Sequence, residues 1–173
     1  MKKKRKKNIF KNKNLFIAGT RPEIVKISPL INRLNASILL TGQHHKKEML
    51  NNFMDLVDTE EIYDLQLEEF RNFNNEIYKI VEILKNKIIE INPKNIFVLG
   101  DTNTTLVGAM AAKSAKKKLY FIESGLRSGD LEQIEEYNRI IVSHLADINF
   151  CNHQNNIVNL TDEGKHSNKI SLT

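Results

Sequence analysis

The chain predicts an α/β domain, a doubly wound, mostly parallel sheet with helices on both faces. Three observations carry that expectation. Short apolar runs alternate with stretches of helical periodicity through residues 14–151. One run, NIFVLGD at 95–101, is continuously apolar up to its turn, as a parallel strand covered on both faces should be. The 173 residues, 40% of them hydrophobic, suffice for one core, and no apolar stretch approaches the roughly 18 residues of a membrane-spanning helix. Strand–helix units joined by right-handed crossovers assemble into such a sheet.

In chain order, NLFIAGT (14–20) is a β-rich run ending in Gly-Thr. Pro22 follows where a first helical turn tolerates it, and Ile24, Ile27, Ile31 and Leu34 recur at helical spacing. SILLTG (37–42) reads as a second buried strand, and 46–56 as a helix with Met49, Leu50 and Phe53 inward. A polar, acidic connection comes next. Ile77, Ile80, Val81, Leu84, Ile88 and Ile91 then repeat in threes and fours, and Asn92-Pro93 ends that helix. After 95–101, TTLVGAMAAKSAKK (104–117) is alanine-rich and helical. LYFIES (119–124) is the next strand, a helix covers about 135–146, and INFC (148–151) makes one more strand.

The formal net charge of +5 is unevenly placed. Residues 1–13, MKKKRKKNIFKNK, hold eight of the 26 Lys/Arg and no acid, which leaves 18 basic against 21 acidic residues, a formal −3, for the rest. We read 1–13 as a disordered, solubilising basic tail, with nonspecific contact to nucleic acid or anionic lipid as its alternative, and 14–173 as the folded domain. The tail lacks the apolar core of about seven residues that a secretory signal carries. One cysteine, Cys151, excludes an internal disulfide and a cysteine-based metal cluster, which fits a cytoplasmic protein.

Ligands of such sheets bind outside the carboxyl ends of the strands. Arg21 follows the first strand, Gln43 and His44 the second; Asp101 ends the run at 95–101 and Glu123 the run at 119–124, so all should face one edge. Each has a structural alternative: Arg21 as a surface cation, Asp101 as the N-cap of a helix beginning at Thr102, Glu123 as a turn residue. Glu135 and Arg139 are four apart on one helix face, where an exposed ion pair is worth only about 0.3–0.5 kcal/mol. GTRPE has neither the GxGxxG spacing of dinucleotide folds nor the GxxxxGK[ST] of the P-loop, so nicotinamide and ATP chemistry lack support. A helix N-terminus beside an arginine does suit a phosphate. His44 and His45 are adjacent and would point apart, a poor metal pair.

Five blocks, in order, resemble the non-hydrolysing UDP-N-acetylglucosamine 2-epimerases: GTRPEIVKISPLI (19–31), TGQHHKKEML (41–50), GDTNTTLVGAMAA (100–112), ESGLRSGD (123–130) and EEYNRIIVSHLAD (135–147). The likeness spans about 15–151. It implies the Rossmann-like N-terminal lobe of a glycosyltransferase-B-type fold, in which two lobes flank a cleft. It also implies interconversion of UDP-N-acetylglucosamine and UDP-N-acetylmannosamine for cell-surface polysaccharide synthesis, by elimination and re-addition of UDP, with no metal, nicotinamide or other cofactor.

By that resemblance Asp101, Glu123 and Glu135 are the acid/base residues, Arg21, Lys26 and Arg139 bind the nucleotide sugar, and Gln43 and His44 match a loop that contacts a second, regulatory substrate molecule. The pattern is broken at Phe121, where a histidine is usual, and at Ser124, where an alanine is usual. Only Glu132, Gln133 and Ile134 separate GDL from the paired glutamates, where the family has a longer Pro- and Trp-containing segment. The resemblance further implies that a second domain, missing or separately encoded, supplies most uridine and diphosphate contacts and a further histidine. The expected partners are therefore a UDP-sugar, that second polypeptide and, as one assembly, a second copy in a homodimer, with no specific nucleic acid and no membrane span. The chain alone is expected to be inactive. The alternative is a truncated, non-catalytic lobe that binds a sugar or assembles with a partner.

Overall fold

The structure is a computed structural model that describes residues 14–43, 56–59 and 61–173. The basic tail lies outside them, as does the helix expected at 46–56 apart from Leu56, which sits in a turn. Seven strands, β1 (Asn14–Ala18), β2 (Ser37–Leu40), β3 (Ile62–Asp64), β4 (Asn95–Leu99), β5 (Lys118–Ile122), β6 (Ile148–Cys151) and β7 (Ile170–Leu172), form one sheet in the order β3-β2-β1-β4-β5-β6-β7. Every neighbouring pair is parallel. The helices are α1 (Arg21–Leu34), α2 (Phe73–Ile91), α3 (Asn103–Ser114), α4 (Ile134–Leu145) and α5 (Gln154–Asp162). All five expected strands are present; β3, β7 and α5 are additions. Among the described residues no helix is long and apolar enough to cross a membrane.

Alternation along β1 sets the two layers, because successive side chains of a strand face opposite ways. Leu15 and Ile17 join the cluster that contains Leu84 and Ile88 of α2 and Val107 of α3. Phe16 and Ala18 join Ile24, Ile27 and Ile31 of α1. Each fully buried Leu, Ile or Phe contributes about 1.5–3 kcal/mol, so α1 is held to one face of the sheet and α2 and α3 to the other. Four aromatic rings continue the α1 face across the sheet: Phe16 stacks on Phe97 and Phe97 on Tyr120, both at 4.7 Å, and Tyr120 on Phe150 at 6.1 Å.

Helix ends follow from local chemistry. Asn92 takes the left-handed conformation at φ 53° and its N–H donates to the Ile88 carbonyl, closing α2 before Pro93. Pro29 lies inside α1 without an N–H to donate, and Ser28 Oγ donates to the Val25 carbonyl at 3.1 Å, satisfying the acceptor four residues back from the proline. Buried Ala109, Ala111 and Ala112 on α3 leave room for the helix to lie close to its neighbours.

Candidate active site

Strands β1 and β4 are neighbours, yet the chain leaves β1 toward β2 and β4 toward β5. The turns that follow them therefore part, and a crevice opens at their carboxyl ends. A cavity of about 430 Å³ occupies that place. Its walls are Thr20, Glu23 and Lys26 from the β1–α1 connection, Asp101 and Thr102 from the β4–α3 turn, Glu123 after β5, Arg139 of α4 and Asn152 after β6.

Glu23 joins the first two walls. It is 4% exposed, and its Oε2 accepts from the Gly19 and Thr20 amides at 2.8 Å each and from Thr20 Oγ1 at 3.0 Å. Its Oε1 accepts from Thr102 Oγ1 at 2.6 Å. One carboxylate thus caps α1 and ties the β1–α1 turn to the N-terminus of α3. The Gly19 and Thr20 amides of this turn are already engaged and not offered to a phosphate. Sequence reasoning passed over Glu23, although Thr20-Arg-Pro-Glu23 has the spacing of a capping box. Gly19 is required by the same crowding: a Cβ there would run into Thr104 Oγ1 and lie 2.6 Å from Thr41 Oγ1.

Arg139 carries the second wall. Its side chain is 9% exposed; Nη1 donates to Asp101 Oδ2 at 2.6 Å and Nε to Glu136 Oε2 at 2.9 Å. Glu136, 1% exposed, also accepts from the Ser128 and Gly129 amides at 3.0 and 2.9 Å. Burial alone would raise the Glu136 carboxyl, but the Gly129 and Ser128 amides, then Arg139, hold it below its ordinary value. The chain GLRSGD–Glu136–Arg139–Asp101 therefore fixes the Asp101 carboxylate at the cavity. Asp101 is not the N-cap. Thr102 is, accepting from the Thr105 amide, and Asp101 is left to Arg139.

Glu123 stands at the end of β5 with φ 61°, a left-handed conformation that costs a non-glycine residue about 1–2 kcal/mol. The residue after it is firmly held: the Ser124 amide donates to the Phe150 carbonyl, and Ser124 Oγ donates to Asn149 Oδ1 at 2.7 Å, both of these side chains buried. That bond accounts for a serine at this position. The strained backbone aims the Glu123 carboxylate at Lys26 Nζ, 2.8 Å away. Phe121, two residues earlier, is a core residue with 0% exposure.

The structure brings together Lys26, Asp101, Glu123 and Arg139, all four among the expected site residues. Glu135 is exposed in the first turn of α4 and does not line the cavity; Arg139 turns instead to Glu136 and Asp101. Arg21 opens α1 with an exposed side chain outside the lining. Gln43 Oε1 accepts from the Thr104 amide at 3.0 Å and from Thr104 Oγ1 at 2.8 Å, so it caps α3. His44 lies outside the described residues. No group of three or more His, Cys, Asp or Glu side chains converges as a metal site among the described residues.

Known proteins share this arrangement of fold and sequence. The UDP-N-acetylglucosamine 2-epimerase family profile matches residues 30–173. The chain is 35% identical over 170 residues to the UDP-N-acetylglucosamine 2-epimerase of Campylobacter jejuni, covering 93% of this chain and 44% of that protein. The Escherichia coli K12 enzyme gives the same identity with 45% of its length covered. The UDP-GlcNAc 2-epimerase of Neisseria meningitidis, solved bound to UDP-GlcNAc, superimposes with a TM-score of 0.85 at 30% identity, over 93% of this chain and 45% of that one. The Methanocaldococcus jannaschii enzyme, in complex with UDP-GlcNAc and UDP, gives 0.82 at 31%, over 92% of this chain and 46% of that one. The chain thus spans under half the length of the relatives it matches. On the profile match and these likenesses, the chain belongs to the UDP-N-acetylglucosamine 2-epimerase family.

Proposed function

We propose that the chain is the acid–base half of a non-hydrolysing UDP-N-acetylglucosamine 2-epimerase. The observation that carries this reading is the convergence of two carboxylate–cation pairs, Asp101–Arg139 and Lys26–Glu123, on one cavity at the strand ends. In the reaction a carboxylate removes the proton from C2 as the C1–O bond to UDP breaks, giving a glycal with a C1=C2 double bond. A carboxylic acid then returns a proton to the opposite face of C2 while a UDP oxygen rejoins C1. Asp101 and Glu123 are the proton carriers, and Arg139 and Lys26 hold them in place and face the departing diphosphate. Glu135 and Arg21 lie outside the cavity and would reach substrate only in a closed, two-lobed form. Gln43 would pass a regulatory signal to α3 through Thr104.

Charge supports the need for another half. Glu23, Asp101 and Glu123 outnumber Lys26 and Arg139 among the lining residues, so the cavity does not by itself neutralise a diphosphate. As these 173 residues stand, no turnover is expected, because an open crevice neither fixes the leaving group nor excludes water. The buried thiol of Cys151 accords with a cytoplasmic setting. The test is deuterium incorporation at C2 of UDP-N-acetylglucosamine in heavy water, followed by NMR. We expect none with the chain alone and incorporation once the second half of a relative is added. A well-folded second half that restores neither binding nor exchange would favour the reading as a non-catalytic binding lobe.

A further inference from the structure

The two faces of the sheet are covered unequally. From β1 the chain steps one way to β2 and β3, then the other way through β4, β5, β6 and β7. With right-handed crossovers that reversal puts α1 on one face and α2, α3, α4 and α5 on the other. The core agrees: Ile96, Val98, Leu119 and Phe121 are at most 1% exposed and belong to the cluster of α2 and α3. The alternate residues of these strands and of β6, namely Phe97, Tyr120, Ile122, Ile148 and Phe150, face the α1 side and are only half-buried. Helix α1 itself packs over β1, and the residues that join β2 to β3 begin and end on the far side of β1 from this strip.

The open strip is one helix wide. From β4 to β6 is two strand spacings, about 10 Å, and five strand residues run about 16 Å; a helix with its side chains is about 10 Å across. On one side α1 forms a wall. Lys26 reaches Glu123 after β5, and Leu30, four residues on and 38% exposed, shares that helix face. On the other side the apolar surface ends at Ser171 of β7, the register partner of Phe150. All-parallel sheets occur with both faces packed, so such a strip calls for a cover. Its size decides among occupants. A footprint of about 160 Å² is far below the roughly 800 Å² per partner of a stable pair, so a second copy seated here alone would not hold, and α1 keeps another flat sheet away. A helix fits if the body that carries it is anchored elsewhere. The strip leads to such an anchor: Ile122 is followed by Glu123, and Leu99, on the same face, lines the cavity.

We infer that this strip seats one amphipathic helix of the second half, its apolar side on Phe97, Tyr120 and Phe150 and its length alongside α1. The inference rests on the reading of the chain as one half of a two-part epimerase; this chain covers 44% and 45% of two of its relatives, so each has a further body able to carry such a helix. The body that closes the cavity then also covers the sheet.

The test uses the 173-residue chain, the neutral dye Nile red and the second half of the Campylobacter jejuni relative. We expect the folded chain alone to bind the dye and the second half to displace it. Tyr120→Glu should weaken association with the second half at least tenfold; Ile148→Glu is the second variant should loss of the stacked ring unfold the chain. Tyr78→Glu, at a ring 85% exposed on α2, should associate as wild type. Wild-type association by both strip variants would overturn the inference, as would a folded second half that neither associates nor displaces the dye. Dye binding that appears only after residues 1–13 are removed would assign the strip to the chain's own tail, and a dimer broken by Tyr120→Glu would assign it to a second copy; either result overturns it. Failure of C2 exchange in the assembled pair, with the dye displaced and the Tyr120→Glu defect intact, would count against the epimerase reading and support the helix seat.

Discussion

Replacing Glu23 separates acceptor geometry from charge in the wall of the cavity. In Glu23→Ala the Gly19 and Thr20 amides lose the oxygen they share at 2.8 Å, and Thr102 Oγ1 loses its acceptor at 2.6 Å. Each orphaned buried donor costs about 1–3 kcal/mol, and loss of the cap adds about 1 kcal/mol. Partial relaxation of the turn brings the expected loss to roughly 3–5 kcal/mol, a fall in Tm of about 10 °C for a chain of this size. Glu23→Gln should behave differently. Its amide oxygen can stay on the two backbone amides while its NH2 donates to Thr102 Oγ1, because a hydroxyl both gives and accepts. That variant should lose less than about 2 kcal/mol. Thermal and urea unfolding of both proteins decide the matter. A Glu23→Ala variant within about 1 kcal/mol of wild type, or a Gln variant as damaged as the Ala variant, would refute the proposed role of acceptor geometry.

Other outcomes follow from the same contacts. Gly19→Ala should cost about 1–3 kcal/mol, since its methyl has no room beside Thr104 and Thr41; a melting curve measures it. Glu123→Gly should leave stability unchanged or raise it by about 1 kcal/mol or less by relieving a positive φ, while turnover in a complete two-half enzyme is lost. The lowered Glu136 carboxyl makes its stabilisation full above the ordinary carboxyl range and progressively lost as pH falls through its folded value. Glu136→Gln should therefore be less stable at neutral pH, and its stability curve should converge with the wild-type curve in acid; parallel curves would contradict that assignment.

The central strands were readable because each is a continuous apolar run, and α2 because its isoleucine stripe has helical period and an Asn-Pro stop. Edge strands β3 and β7 were not. Each is three residues long, and Ile62–Asp64 sits in an acidic stretch with one half-buried side chain, so the apolar signal is weak. Helix α5, QNNIVNLTD, is rich in asparagine and buries only Asn156 and Leu160. Its start is set by His153, whose side chain accepts from the Asn155 amide. At the site, Asp101 and Glu123 could be placed at one edge because strand ends locate them, whereas Lys26 and Arg139, inside helices, were expected only from the resemblance. The buried carboxylate Glu23 could have been found, since its amide partners Gly19 and Thr20 are local and Thr20 to Glu23 has capping-box spacing; Glu136 was harder, because its amide partners come from the loop after β5. For Glu136 one signal was present: it lies three residues before Arg139 and six before Val142, on the buried side of α4, whereas Glu135 is a residue out of phase.

The most direct test of the account uses Asp101→Asn and Glu123→Gln in a form completed by the second half of a relative. Each amide keeps the shape of its side chain while removing the capacity to carry a proton, and neither residue supplies the buried amide contacts that Glu23 and Glu136 supply. Turnover of UDP-N-acetylglucosamine should fall by roughly 100-fold or more in each variant, with nucleotide-sugar affinity and melting temperature little altered. Near-normal turnover in both would contradict the account and remove the proton-transfer role from this cavity.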